Sequence, residues 1–530
     1  MAKLRKQRRS ARQAHSVRAV RAPWLPALSA RSQALIFALI ALIVSALLHF
    51  SSDKFADPDG FYHFRHAALY GEGNIFSPAF PWIPFSVIGK YSADIWYGFH
   101  VLLIPFTWIG DPVLAMRLAG VGLTWAFLLM IYCACVKLEL KPAWLWPFAL
   151  LVSSAFLLHR VTMLRPQVLS LGLTVLLLAQ IVLGKLRGVF VITFAIAWVH
   201  LSLFFAPLIL LGLFPAIKFF TDRELRWREF VAGCAGLVAG WLLRPNPLGA
   251  ASIAYVQVVD LTLANVAHAP LEFGAELRPL VLAYSSNYLP FILLWLASLL
   301  FLLWRAIANR SQVALSIKTA LVLSATLSSV FFLVAILFAR RGFDFCSAFG
   351  VLVLALAVGE IMPGKKWPRL AVVGLFCVLA VYSVTQRHRV VALGWDVNQV
   401  EPAARWLNAN SNAGDIVFNF RWFYFPELFF WNTKNVYTSR MDPIFQYAFD
   451  SQLYLSGLKI AAHRPSLFCP TGACADPAGV DAFKLLKERY RARYIYLLKE
   501  FDANAYFHFL SDSRFELRYE DRGAAVFEAL

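Results

Sequence analysis

The chain has 530 residues, of which 59% are apolar and 15% charged, yet its formal charge is +19. So high an apolar fraction excludes an ordinary soluble globular protein. The charge does not imply nucleic acid either, since neither a helix-turn-helix nor an aromatic-basic platform accompanies it, and nine Lys or Arg with no acid stand between Met1 and Arg31.

The expected fold is mainly α, a polytopic bundle of transmembrane helices followed by a C-terminal extracytoplasmic α/β domain. Residues 1–32 read as a basic cytoplasmic leader, held inside by the positive-inside rule and drawn to anionic headgroups. The leader is too long for a signal peptide and no small-x-small cleavage site follows. Gln33–Phe50 is therefore the first span, long enough to cross a hydrocarbon core about 30 Å thick. Further spans are expected near 113–136, 142–159, 165–184, 189–203, 204–220, 229–243, 288–304, 317–339, 345–362 and 369–385, giving about eleven, with up to about thirteen admissible.

Ile95–Ile109 decides the topology. It holds Pro105 and many aromatics, which favour the interface. If it lies in the outer interface and 189–220 is two spans, then Lys137, Lys141, Lys185 and Arg187 face the cytoplasm with Lys218, Arg223, Arg226 and Arg228. If it crosses, the first four face outward. The first arrangement obeys the rule better and is the one expected. The membrane domain then covers 33–386, with long outer loops at 51–111 and 244–287. From 387 to 530, helical stretches (Gln399–Ala409, Ala482–Arg491) alternate with strand-like runs at Ile416–Phe420, Tyr494–Leu498, Phe515–Tyr519 and Ala524–Phe527, the pattern of a layered α/β domain.

Five of the seven cysteines (Cys133, Cys135, Cys234, Cys346, Cys377) fall in apolar stretches and read as small buried hydrophobes. Cys469 and Cys474 share a polar loop, where an extracytoplasmic domain permits a disulfide.

Just beyond the first span stands Asp57-Pro58-Asp59-Gly60-Phe61-Tyr62-His63-Phe64-Arg65-His66. Two carboxylates two residues apart can hold a divalent cation such as Mg or Mn, with Asp57 as a ligand, or accept a proton from a nucleophile. They can equally form a solvated turn that caps a helix starting near Phe61. The motif and the layout resemble the C-type (GT-C) membrane glycosyltransferases, and the first external loop resembles that of the oligosaccharyltransferase catalytic subunit. The acceptor signature Trp-Trp-Asp-Tyr-Gly of that subunit is absent, and so is a second Asp-x-Asp, so the subfamily is left unidentified.

The resemblance implies a transferase in the inner membrane that takes a sugar or glycan from a polyprenyl-phosphate-linked donor on the outer face. Asp57 and Asp59 would be its catalytic residues, with His63 and Arg65 beside the phosphate. Where the second acidic motif is missing, His159, Arg160 and Arg165 stand at the same face, and guanidinium forks match phosphate oxygens. Arg340 and Arg341 lie at the outer end of a span, against the positive-inside rule, and the resemblance makes them phosphate ligands. His200 lies near an outer helix end. Glu272 and Glu276, four residues apart, form a solvated amphipathic face or offer a metal ligand or acceptor contact. The aromatic tail around Trp422–Glu427 reads chiefly as packing. The alternative function is a transporter or flippase of lipid-linked glycans. Transporters carry mid-membrane charges and repeats, whereas here the charges gather at one face.

Overall fold

The computed structural model describes residues 29–530 apart from 78, 282–286, 309–314, 362–365, 439–440 and 463–480. Cys469 and Cys474 lie outside the described residues. The protein is a bundle of apolar helices with a small C-terminal sheet. Seven described helices are long and apolar enough to cross a membrane, and the bent pair Ala155–Val161 and Pro166–Val182 makes eight if it counts as one span. The first, Ala30–Phe50, is capped by the Ser29 hydroxyl accepting from the Ser32 amide at 3.0 Å. Its Leu35, Leu39, Ile43 and Leu47 are exposed, as on a helix that faces lipid. Gly342–Ile361 is its opposite, with 83% of its apolar window buried at the centre of the bundle.

Two segments depart from the expected layout. Residues 142–159 do not form one helix but break into Leu145–Leu151 and Ala155–Val161. The break lies at Ser153-Ser154, where the Ser154 hydroxyl accepts from the Leu157 amide at 3.0 Å and starts the second helix. The chain then turns by 109° into Pro166–Val182. Pro166 causes this corner, because the residue before a proline is driven from the helical region, and Arg165 is extended at φ −132° and ψ 148°. Second, Pro247–Val266 is long and apolar enough to span, although it falls in the expected outer loop. Tyr97–Thr107, in the stretch expected at the interface, has 11 residues, which at 1.5 Å each reach about 16 Å, roughly half a hydrocarbon core. It does not cross alone.

Residues 189–220 form two helices, Leu186–Val199 and Phe205–Asp222, joined by a 3-10 turn at Leu201–Leu203. Leu186–Val199 packs closely on Arg228–Leu242, because Gly236 and Gly240 present no side chain to the carbonyls of Phe190 and Phe194.

In the C-terminal domain, β1 (Ile416–Asn419), β2 (Val436–Tyr437), β3 (Tyr494–Leu498), β4 (Phe515–Glu520) and β5 (Ala524–Ala529) form one sheet in the order β2-β1-β3-β5-β4. β1 runs parallel to β2 and β3, while β5 is antiparallel to β3 and β4. All of β3 is buried. The aromatic run serves packing, as its sequence suggests: Phe425–Trp431 lies on helix Asp59–Leu69, with Phe430 edge-on to Phe61 at 5.3 Å. The domain is thereby set directly over the first loop.

Candidate active site

The acidic turn is positioned before it is used. Arg117 donates to the carbonyls of His49 (2.8 Å), Ser52 (2.6 Å) and Asp53 (2.5 Å). Arg387 donates to the Leu48 carbonyl at 2.8 Å and the Ser51 hydroxyl at 3.0 Å. These bonds satisfy the free carbonyls at the end of the first span and fix the chain's direction. Phe55 then pairs with Trp395 through two backbone hydrogen bonds.

Asp57 comes next, and it is buried. Arg165, projected from the proline corner, donates from Nε to Asp57 Oδ2 at 2.5 Å and from Nη2 to Asp57 Oδ1. The same Nη2 lies 2.8 Å from Asp59 Oδ2, and Nη1 lies 3.4 Å from Glu276 Oε1. Arg341 Nη2 donates to that Glu276 oxygen at 2.7 Å. The turn is therefore neither solvated nor a cap. Asp59 is the first residue of its helix, and no side chain caps that end.

Three carboxylates share two guanidiniums here, so one negative charge is in excess unless a carboxyl keeps its proton. Burial raises the Asp59 carboxyl to about 8, against the pull of Arg165 and with further help from Asp57, Glu276 and Asp442. Burial alone would raise Glu276 as well, but Arg341, Arg165 and Arg160 hold it well below the usual carboxylate range. Asp59 is thus the group that keeps a proton, and its buried Oδ1 has no hydrogen-bond partner in the protein.

Asp59, His63, Arg165, His200, Glu276 and Arg341 line a cavity closed from the C-terminal side by Trp422, Met441 and Asp442. Its empty space is about 670 Å³, part of it open to the outside. Gln167, His200, Gln257, Leu277 and Arg341 also line a second, larger cavity of about 1460 Å³, again partly open. That one runs between the spans along Val168, Leu171, Phe331, Val334 and Phe345 and is mostly apolar. Arg160 and Asp344 form an ion pair of 2.6 Å in its wall.

No protein-family model and no curated protein matches this sequence. Solved structures do. ArnT from Cupriavidus metallidurans in the apo state aligns with a TM-score of 0.53, covering 94% of this chain and 98% of that one at 11% identity. ArnT from the same organism bound to undecaprenyl phosphate aligns over the same shares at the same identity, with a TM-score of 0.51. The fold of this chain is therefore similar to that of ArnT.

Within this fold, five of the expected site residues converge on the first cavity: Asp59, His63, Arg165, His200 and Arg341. Asp57 stands behind Arg165, and Arg160 belongs to the second cavity. The others go elsewhere. Arg65 turns to Glu72 and Thr433 at 3.4 Å each. Glu272 lines a separate cleft with Asn419 and Gln446, and its amide accepts no role in the cluster but donates to the Tyr454 hydroxyl. Arg340 lies 4.8 Å over the Phe156 ring, with Arg160 over the same ring at 5.7 Å. His159 is buried and lines neither cavity. Sequence reasoning set Glu272 and Glu276 side by side, and only Glu276 is at the site. It missed Gln257, Asp344, Asp94 and His100. A lone Asp-x-x-x-x-x-His spacing at 94–100 carries no signal without a partner.

The acidic pair is a poor seat for Mg or Mn. Such ions need near-octahedral oxygen ligands, and a guanidinium already occupies both oxygens of Asp57. His66, Asp94 and His100 do bring one ligand atom each to within 4.8 Å of one another, close enough for a metal ion. Two nitrogens and one oxygen suit softer metals than Mg or Mn. These atoms are, moreover, already bonded to each other and to neighbours: His100 Nδ1 to Asp94 Oδ2 at 2.6 Å, and Tyr70 to the same oxygen at 2.9 Å. The set fits a hydrogen-bond network better than a ligand set.

Proposed function

We propose that the protein transfers a sugar or glycan from a polyprenyl-phosphate-linked donor, such as an undecaprenyl-phosphate sugar, to an acceptor at the outer face of a cytoplasmic membrane. The observation that carries this reading is the pair of joined cavities. A polar chamber that holds the Arg165 and Arg341 guanidiniums opens, through Arg341 and His200, onto an apolar space between spans. That is the shape and chemistry of a phosphate on an isoprenoid chain. A flippase would carry ionisable groups at mid-membrane, whereas the acids and guanidiniums of this cluster surround one chamber.

An inverting displacement fits the geometry. The acceptor oxygen attacks the anomeric carbon as the bond to the phosphate oxygen breaks. Arg165 and Arg341 meet the negative charge that develops on the phosphate. Protonated Asp59 donates a hydrogen bond to it. Asp57 spends both oxygens on Arg165 and orients it. Arg341→Ala should weaken binding of undecaprenyl phosphate about 10–100-fold, by roughly 1.4–3 kcal/mol, the worth of a charge-assisted bond. Titration of the lipid in nanodiscs measures this, and unchanged affinity would remove Arg341 from the phosphate site.

Binding should also depend on pH. Because its pKa is raised to about 8, Asp59 is neutral below that pH and adds a negative charge beside the phosphate above it. Affinity should fall about tenfold as pH rises from 7 to 9. Asp59→Asn should abolish that fall, and a variant that keeps it places the titrating group elsewhere.

A further inference from the structure

The mechanism above assigns no group to remove the acceptor's proton. Asp57 is committed to Arg165, and Asp59 holds a proton already. Beside them lies a chain of buried polar side chains. His63 and His66 sit on helix Asp59–Leu69, His100 on Tyr97–Thr107, and Asp94 in the turn before it. His63 Nδ1 lies 2.8 Å from His100 Nε2, and His100 Nδ1 lies 2.6 Å from Asp94 Oδ2.

With both imidazole rings neutral, the hydrogen bonds set the direction of every proton in this chain. Asp94 Oδ1 accepts the Trp96 amide at 2.8 Å and Oδ2 accepts the Tyr70 hydroxyl at 2.9 Å. Both oxygens accept, and although burial works the other way, His100, His66 and the Trp96 amide hold this carboxyl below its ordinary value, so Asp94 is a carboxylate. Its partner His100 must then carry its proton on Nδ1 and leave Nε2 as an acceptor. His63 must in turn donate from Nδ1, which leaves a lone pair on Nε2. Among the described residues that nitrogen has no protein hydrogen bond, and His63 is part of the wall of the first cavity beside Asp59 and Arg165. The turn is held in place by Arg244, which donates to the Asp94 carbonyl at 3.1 Å.

We propose that Asp94, His100 and His63 form a proton relay, with His63 Nε2 as the general base for the acceptor hydroxyl. This rests on the transferase reading above. As the acceptor oxygen bonds to the anomeric carbon and the phosphate departs with its electron pair, the hydroxyl proton passes to His63 Nε2. The Nδ1 proton of His63 moves to His100 Nε2. The positive charge then rests on His100, against the Asp94 carboxylate, and not on His63 beside Arg165. The relay thus carries charge away from the guanidinium and toward the one buried acid that can balance it. The other groups facing His63 act in the expected sense: burial, His100 and Arg165 keep it neutral, with Asp94 opposing and His66 adding to the effect. His66, bonded to the Tyr62 hydroxyl at 3.0 Å and stacked on His100 at 4.2 Å, lies to the side of the chain.

The first test needs no substrate. Nitrogen-15 histidine spectra of the wild-type protein in nanodiscs at pH 7 should show His63 and His100 as neutral Nδ1–H tautomers, assigned by loss of each signal in His63→Gln and His100→Gln. Either ring found as Nε2–H or as imidazolium overturns the relay. The second uses membranes of the source cell and a radiolabelled undecaprenyl-phosphate sugar. His63→Gln should lower release of undecaprenyl phosphate about 10²–10⁴-fold with its binding of that lipid unchanged. Asp94→Asn should lower release while shifting the pH profile, because an amide can turn the His100 tautomer round. Normal release by His63→Gln overturns the relay and leaves the transferase reading intact. If the wild-type protein neither binds the lipid nor releases it, the transferase reading falls and the relay falls with it.

Discussion

Arg165→Leu should be the most damaging single substitution in the protein. Arg165 is the shared partner of three buried acids, bonded to both oxygens of Asp57 and paired with Asp59 at 2.8 Å and Glu276 at 3.4 Å. Its removal leaves Asp57 without any cationic partner in the cluster, whereas Glu276 keeps Arg341 at 2.7 Å. An uncompensated buried charge costs about 3–5 kcal/mol. The expected result is loss of most folded protein in detergent, seen by size-exclusion fluorescence, or a drop of several degrees in the unfolding midpoint. Arg165→Leu combined with Asp57→Leu should recover much of that loss, because the pair then leaves together. A single variant as stable as wild type would show that water reaches the turn and that these acids are not buried.

Much of this site was legible in the sequence. The Asp57-Pro58-Asp59 turn stands out as paired carboxylates, Arg165 as a guanidinium suited to phosphate, and Arg341 as a cation against the positive-inside rule. The sheet was legible as well, since β3 and the positions of β1, β4 and β5 follow from apolar runs bounded by turns. What could not be read was pairing across the fold. Nothing at Arg65 distinguishes it from Arg165, yet the first faces Glu72 and the second faces Asp57. The corner at Pro166 decides that difference, and it operates in three dimensions. The relay was hidden for the same reason. His63 and Asp94 are 31 residues apart, and only the packing of Tyr97–Thr107 on Asp59–Leu69 brings His100 between them. The break at Ser153-Ser154 was hidden by hydropathy, which scores the apolar run 142–159 and is blind to a cap within it.

Asp57→Asn separates the role of the acidic turn from that of the phosphate ligands. From the sequence, Asp57 is the expected base or metal ligand. In the structure both of its oxygens accept from Arg165, so its task is to hold that guanidinium at the cavity wall. Asparagine keeps the size but offers one oxygen and one donor, and the donor nitrogen meets a guanidinium that can only donate. One bond of the fork is lost and the other weakened, so Arg165 swings toward Asp59 or Glu276. Misplacing a transition-state charge by about 1 Å costs on the order of 10²-fold in rate, and loss of the preorganised donor adds to it. Sugar transfer should therefore fall about 10²–10⁴-fold, while ground-state binding of undecaprenyl phosphate, carried by Arg341, changes less than tenfold. Asp57→Glu tests the same point from the other side. A longer carboxylate restores the charge but displaces the fork, so it should recover stability and not rate. Should Asp57→Asn transfer sugar at the wild-type rate, Arg165 needs no fixed orientation, and the phosphate charge is met by Arg341 and Arg160 instead.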